Sequence, residues 1–107
     1  MNLRIRTTRR SEADVLATLD WIARVQGRPR VALAWPEALQ DAMDSLIQMP
    51  QRCPLAPESS EQKYEIRQML FFRPRILFTL LAGEVVVLQV RHASREPADP
   101  RELDPDD

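Results

Sequence analysis

The sequence has two glycines, one cysteine and one histidine. Gly27 and Gly83 stand far apart, so no glycine-rich phosphate loop exists; such a loop needs several glycines in one turn to bring backbone N–H groups onto the anion. Cys53 alone forms no intramolecular disulfide. It lies in Arg52-Cys53-Pro54-Leu55, a turn-like stretch, where a small, partly buried apolar side chain is expected rather than a nucleophile. One His and one Cys do not supply the ligand spacing of a zinc centre, and no serine sits in a nucleophile elbow. Neither a metal nor a cofactor is expected. No stretch approaches the roughly 18 apolar residues of a membrane span. The first residues, Met1-Asn2-Leu3-Arg4-Ile5-Arg6, lack the apolar core of a signal peptide, so a cytoplasmic location is expected, with no membrane partner. Lysine is nearly missing as well: Lys63 is the only one among 15 basic residues. Arginine keeps its charge and grips phosphate or carboxylate with two bonds.

What is present is enough for one folded domain. The chain has 107 residues, 44% of them apolar, and a formal net charge of −1. That near-neutral sum hides blocks of opposite sign. Residues 1–35 carry seven Arg against three acids, and residues 61–95 carry six basic residues against three acids. Residues 36–60 carry four acids against Arg52, and residues 96–107 carry six acids against Arg101. The two basic blocks can form one positive face suited to phosphate, or a solvated mixed surface.

Leu3, Ile5 and Thr7 alternate with Arg4, Arg6 and Thr8, the period of a short strand with one wet face. Ser11-Glu12-Ala13-Asp14 reads as a capping box with Ser11 as N-cap. Val15, Leu16, Leu19, Ile22 and Ala23 then follow at helical spacing, predicting a helix from about residue 12 to 25 that stops near Gly27. Pro29 suits the first turn of a second helix. Its stripe is Val31, Trp35, Leu39, Ala42, Leu46 and Met49, ending at Pro50. Pro36 inside that stripe is expected to kink or divide the helix. Residues 50–62, with three prolines, read as a loop. Three strands follow, at 64–70, 75–81 and 84–90. Ala82-Gly83 is a tight turn joining the last two. The continuous run Val85-Val86-Val87-Leu88 marks a central strand covered on both faces. The expected fold is α+β: an N-terminal strand, then an antiparallel helical hairpin on a mainly antiparallel sheet completed by a C-terminal three-stranded meander. Residues 1–96 form the domain. Residues 97–107, acidic and proline-rich, are expected to be a mobile tail, with a cover over the basic face as the alternative.

Arg67, Arg73, Arg75, Arg91 and Arg95 gather near strand ends, with His92 beside them. On an open sheet face such a group can hold a phosphodiester and stabilise added negative charge, and His92 has the ordinary pKa best suited to proton transfer near neutrality. Equally, Arg75 and Arg95 can pair with Glu65, Glu84 or Glu96 and only cap the sheet.

The ordered set Trp35, Leu39, Ala42, Ser45-Leu46, Pro50, Arg52-Cys53-Pro54-Leu55-Ala56-Pro57-Glu58, Ile66-Arg67-Gln68-Met69-Leu70-Phe71, Arg75-Ile76-Leu77-Phe78 and Val85-Val86-Val87-Leu88 running into Arg91-His92-Ala93-Ser94-Arg95 resembles the RelE/ParE superfamily of toxins from type II toxin–antitoxin systems, the plasmid stabilisation proteins. The resemblance covers roughly residues 3–96. It implies a growth-inhibiting toxin neutralised by a cognate antitoxin, whose DNA-binding part is followed by a flexible segment that folds along the toxin. ParE-like members poison DNA gyrase without a nuclease site; RelE-like members are mRNA interferases that cut on the ribosome. Arg75 matches the arginine opening the strand before the final hairpin, and Arg95 the arginine after the last strand. Both hold the scissile phosphate in the nucleases, and Arg67 matches a basic residue of the preceding strand. Glu65 stands where those enzymes have lysine, and no tyrosine follows Arg95. The resemblance therefore implies first a ParE-like toxin acting on gyrase. The alternatives are a ribosome-dependent endoribonuclease using Arg75, Arg95, Arg67 and His92, and a non-toxic interaction module.

Overall fold

A computed structural model describes residues 3–61, 63–71, 74–92 and 98–107. Strand β1 (Arg4–Thr7) leads into helix α1 (Arg9–Asp20), a π-helical turn (Trp21–Val25) and helix α2 (Pro29–Asp44). Short 3-10 turns carry the chain to β2 (Arg67–Leu70), β3 (Pro74–Leu81) and β4 (Glu84–His92). The four strands lie in the order β1-β4-β3-β2. β1 runs parallel to β4, and the other pairs are antiparallel. This is the expected α+β arrangement, and the valine run is internal, between β1 and β3. No helix among the described residues is long and apolar enough to cross a membrane.

Several boundaries differ from expectation, each for a local reason. The cap of α1 is Thr8, not Ser11. The Thr8 hydroxyl accepts from the Ser11 N–H at 3.1 Å and donates to the Leu88 carbonyl at 3.0 Å. That second bond ties the helix start to β4, a tertiary reward the sequence pattern does not display. α1 gives way to a π turn before Gly27, whose φ of +64° closes the segment. The wider turn leaves Ile22 buried and Trp21 42% exposed. Pro36 does not divide α2, which continues from Pro29 to Asp44. Pro36 is itself exposed, while Trp35, Leu39 and Met43 on either side of it are buried on one stripe. Packing of that stripe holds the two halves in line despite the missing N–H. At Ala82-Gly83 both residues have positive φ, 51° and 76°, the geometry that suits the twist of a two-residue hairpin.

The sheet is covered on both faces. On one, Trp35, Leu39, Met43 and Leu46 of the helical layer meet Ile76, Phe78, Val85 and Val87. On the other, Leu77, Val86 and Leu88 are covered by Ala56, Ile66, Ala98 and Leu103. A register shift beside Leu77 leaves Leu88 without a partner opposite it. It brings Gln89 and Arg91 onto the outer face with Leu88, as a bulge does by changing the alternation of the strand. Residues 98–107, read from sequence as an acidic tail, lie against this outer face, with Leu103 only 1% exposed. One leucine in a proline-rich acidic run is too little to register as an apolar pattern, yet it suffices when a socket waits for it.

Candidate functional site

Arg75 opens β3 on the outer face and is 7% exposed. Its guanidinium donates to both oxygens of Glu58, at 3.1 and 2.8 Å, and to Gln68 Oε1 at 2.8 Å. The Glu58 side chain is fully buried, and its Oε2 also accepts the Ala98 N–H at 2.8 Å. Burial pushes the Glu58 carboxyl up, but the Arg75 hydrogen bonds, the N–H of Ala98 and the Arg75 charge together outweigh it, so its pKa lies below the ordinary value. The result is a closed, two-pronged ion pair under a backbone lid. To grip a phosphate, Arg75 would have to release a buried carboxylate and leave it unpaired, a costly exchange.

Of the other predicted residues that the structure describes, Arg91 shares the face of Arg75 and Arg67 does not. Arg91 stands opposite Arg75 in the β3–β4 register, its guanidinium 3.4 Å from Gln89 Oε1. Arg67 pairs in register with Phe78, and strand alternation places it on the helix face, opposite to Arg75. There it donates to the Cys53 carbonyl at 2.6 Å and the Gln51 carbonyl at 3.3 Å, and lies 3.5 Å from Glu65. β2 neighbours β3, not β4. Among the described members, Arg67 therefore lies on one face and Arg75 and Arg91 on the other, and the face bearing Arg75 is covered. His92 ends β4 with its backbone opposite Pro74; its side chain lies outside the described residues, as do Arg73 and Arg95.

Sequence reasoning named Glu65, Glu84 and Glu96 as possible partners and missed Glu58. Its only signal was a carboxylate in the apolar, proline-rich Ala56-Pro57-Glu58. Asp14 was missed as well. Its carboxylate accepts the Val90 N–H at 3.0 Å and lies 3.4 Å from Arg10. β1 has ended by this point, so α1 supplies the acceptor that a strand would otherwise provide. Burial raises the Asp14 pKa, against the opposing pull of the Val90 N–H and of Arg10 and Arg91.

On the other side of the molecule a groove of about 430 Å³ runs between the edge strand β1 and the end of α2, lined by Leu3, Ile5, Met43 and Ile47 with Gln40 and Asp44. The helical layer also exposes Leu16, Trp21, Val25, Val31 and Leu33, between 42% and 82%. Exposed apolar area of this kind in a small domain commonly marks an interaction surface.

Residues 5–97 match the model of the family described as ParE toxin of type II toxin-antitoxin system, parDE. The fold is similar to a chain of the solved chromosomal ParDE TA system from P. aeruginosa, with a TM-score of 0.68 and 19% sequence identity, covering 86% of this chain and 97% of that one. No curated protein sequence gives a significant match.

Proposed function

The chain belongs to the ParE toxin family of type II toxin–antitoxin systems, and from that premise we propose that it acts by binding DNA gyrase rather than by cutting RNA. The observation that carries this reading is the Arg75–Glu58 pair. A phosphate-stabilising arginine needs free donors aimed at the site of charge development, whereas Arg75 spends its donors on Glu58 and Gln68. Arg67, on the opposite face, supports the same reading. In this account Arg75 and Arg67 are structural, and toxicity comes from surface recognition.

The antitoxin is the second partner. A segment that folds on binding must bury apolar surface to offset its ordering cost. The β1–α2 groove and the exposed side chains of the helical layer supply that surface, and the unpaired edge of β1 can accept an added strand.

Expression of the chain alone should stop growth and induce the DNA-damage response, with rescue by the adjacent gene. The purified protein should inhibit supercoiling or trap cleaved DNA in a gyrase reaction and leave mRNA on translating ribosomes intact. Specific mRNA cleavage that disappears in Arg75→Ala, with the fold retained, would replace this reading with the endoribonuclease. Harmless expression of soluble, folded protein would replace it with the non-toxic module.

A further inference from the structure

The outer sheet face has the construction of a peptide site with its own occupant in place. The region matched by the family ends at residue 97, and the segment 98–107 lies beyond it. It is nonetheless fixed at several points. Leu103 fills a socket made by Ala56, Ile66, Leu77, Val86 and Leu88. The Leu103 carbonyl accepts from the Tyr64 hydroxyl. Glu102 accepts from Arg10 and from Gln89, each at 3.1 Å. Asp107 accepts the Arg10 N–H at 2.9 Å. Every wall of the socket belongs to residues within the family-matched region, and only the occupant comes from outside it.

The contacts divide by strength. Leu103 is 1% exposed, whereas the side chains of Arg10 and Glu102 are 43% and 36% exposed. Partly solvated ion pairs of that kind are weak and salt-screened. Leu103 is therefore the largest buried anchor, with the smaller buried Ala98 and Pro105 on either side of it and the Ala98 N–H on Glu58, and the carboxylates orient the segment. An apolar socket rimmed by a cation and two neutral donors recognises an acidic peptide with a single large aliphatic side chain.

We propose that this face is a peptide-binding groove, held shut in cis by residues 98–107, and that an acidic, leucine-bearing segment of a partner protein competes for it. Closure in cis lowers the apparent affinity of any competitor by the fraction of molecules that are open. A tethered occupant has an effective concentration near the millimolar range, so only a partner with further contacts elsewhere displaces it.

The test uses the full chain and a fluorescent peptide of the sequence 98–107. Leu103→Asp should free the groove while the fold is retained by circular dichroism. That variant should bind the peptide roughly tenfold or more tightly than the wild type, the scale set by losing one buried leucine. A peptide carrying the same Leu-to-Asp change should not bind, and added salt should weaken binding of the native peptide without abolishing it. In the wild type, amide exchange should be faster at Leu103 and Asp104 than at Val86 and Val87. Equal affinity of wild type and variant, or no binding to the folded variant, would overturn the proposal. Loss of the fold in Leu103→Asp, or equal exchange of the two regions, would make the segment part of the core and overturn it too.

Discussion

The two faces of the sheet are covered by different materials. The helix face is sealed by long amphipathic elements whose side chains are almost wholly apolar: Trp35, Leu39, Met43 and Leu46 over Ile76, Phe78, Val85 and Val87. The outer face is sealed by irregular chain, with a smaller apolar patch beside a buried ion pair and a carboxylate-bearing segment. The first kind of cover derives its stability chiefly from area removed from water, which responds little to pH or salt, with the Asp14 carboxylate on the Val90 N–H as its pH-sensitive point. The second derives part of its stability from charge satisfaction and responds to both. One small domain thus has a permanent side and a conditional side.

Removing Glu58 should give the largest effect. Glu58→Ala leaves the Arg75 guanidinium buried without its carboxylate and should cost about 3–5 kcal/mol, read from urea unfolding. The double variant Glu58→Leu/Arg75→Met should recover most of that loss, since an apolar pair of similar volume needs no partner. A double variant as unstable as Glu58→Ala would mean that shape, not charge, governs this face. On the helix face, Leu46→Ala should cost about 2–5 kcal/mol, with the spread set by how far the cavity collapses. Its effect should be the same at acid and neutral pH, and a loss that vanished in acid would break the contrast between the faces.

Acid titration sharpens the comparison through two carboxylates of opposite sign. Glu58 has a lowered folded pKa. Its stabilisation is full above the ordinary glutamate value and is lost as pH falls through the folded value. Asp14 has a raised folded pKa, chiefly through burial. Its ionisation opposes folding at neutral pH, and that penalty is relieved as pH falls through the raised value. Glu58→Gln should therefore flatten the acid limb of the stability curve, and Asp14→Asn should steepen it. Reversed slopes would mean that the environments of the two groups are misassigned. Tyr64→Phe should have the smallest effect, about 0.5–1.5 kcal/mol, from the lost bond to the Leu103 carbonyl. It should quicken amide exchange in residues 103–107 before it alters any on the helix face.

The permanent side was legible in the sequence and the conditional side was not. Leu39, Met43 and Leu46 announce themselves by helical spacing, and the Val85–Leu88 run by its continuity, because burial against a regular element repeats at the period of that element. Glu58 has no such signature: its partner Arg75 lies 17 positions away, on the far side of strand β2 in the chain. The bulge that brings Arg91 onto the face of Arg75 is equally silent, since a one-residue shift leaves no trace in composition. Arg67 reads as a companion of Arg75 from charge alone, and only the register of β2 on β3 assigns it to the other face. Arg67 parts from Arg75 for that reason. Proximity to strand ends was readable, but the direction of each side chain depended on pairings between distant residues.

The parallel pairing of β1 with β4 sets an order of events during synthesis. Thr8 and Leu88, joined by a side-chain hydrogen bond at the start of α1, are 80 positions apart. β1 leaves the ribosome long before β4, its partner among the described strands, exists, and the helices that follow have half a core to rest on until β3 and β4 arrive. Pairings so distant in sequence form late and slowly. A polypeptide halted before β4 has neither face sealed and no place for β1, so the fold is withheld until β4 is available.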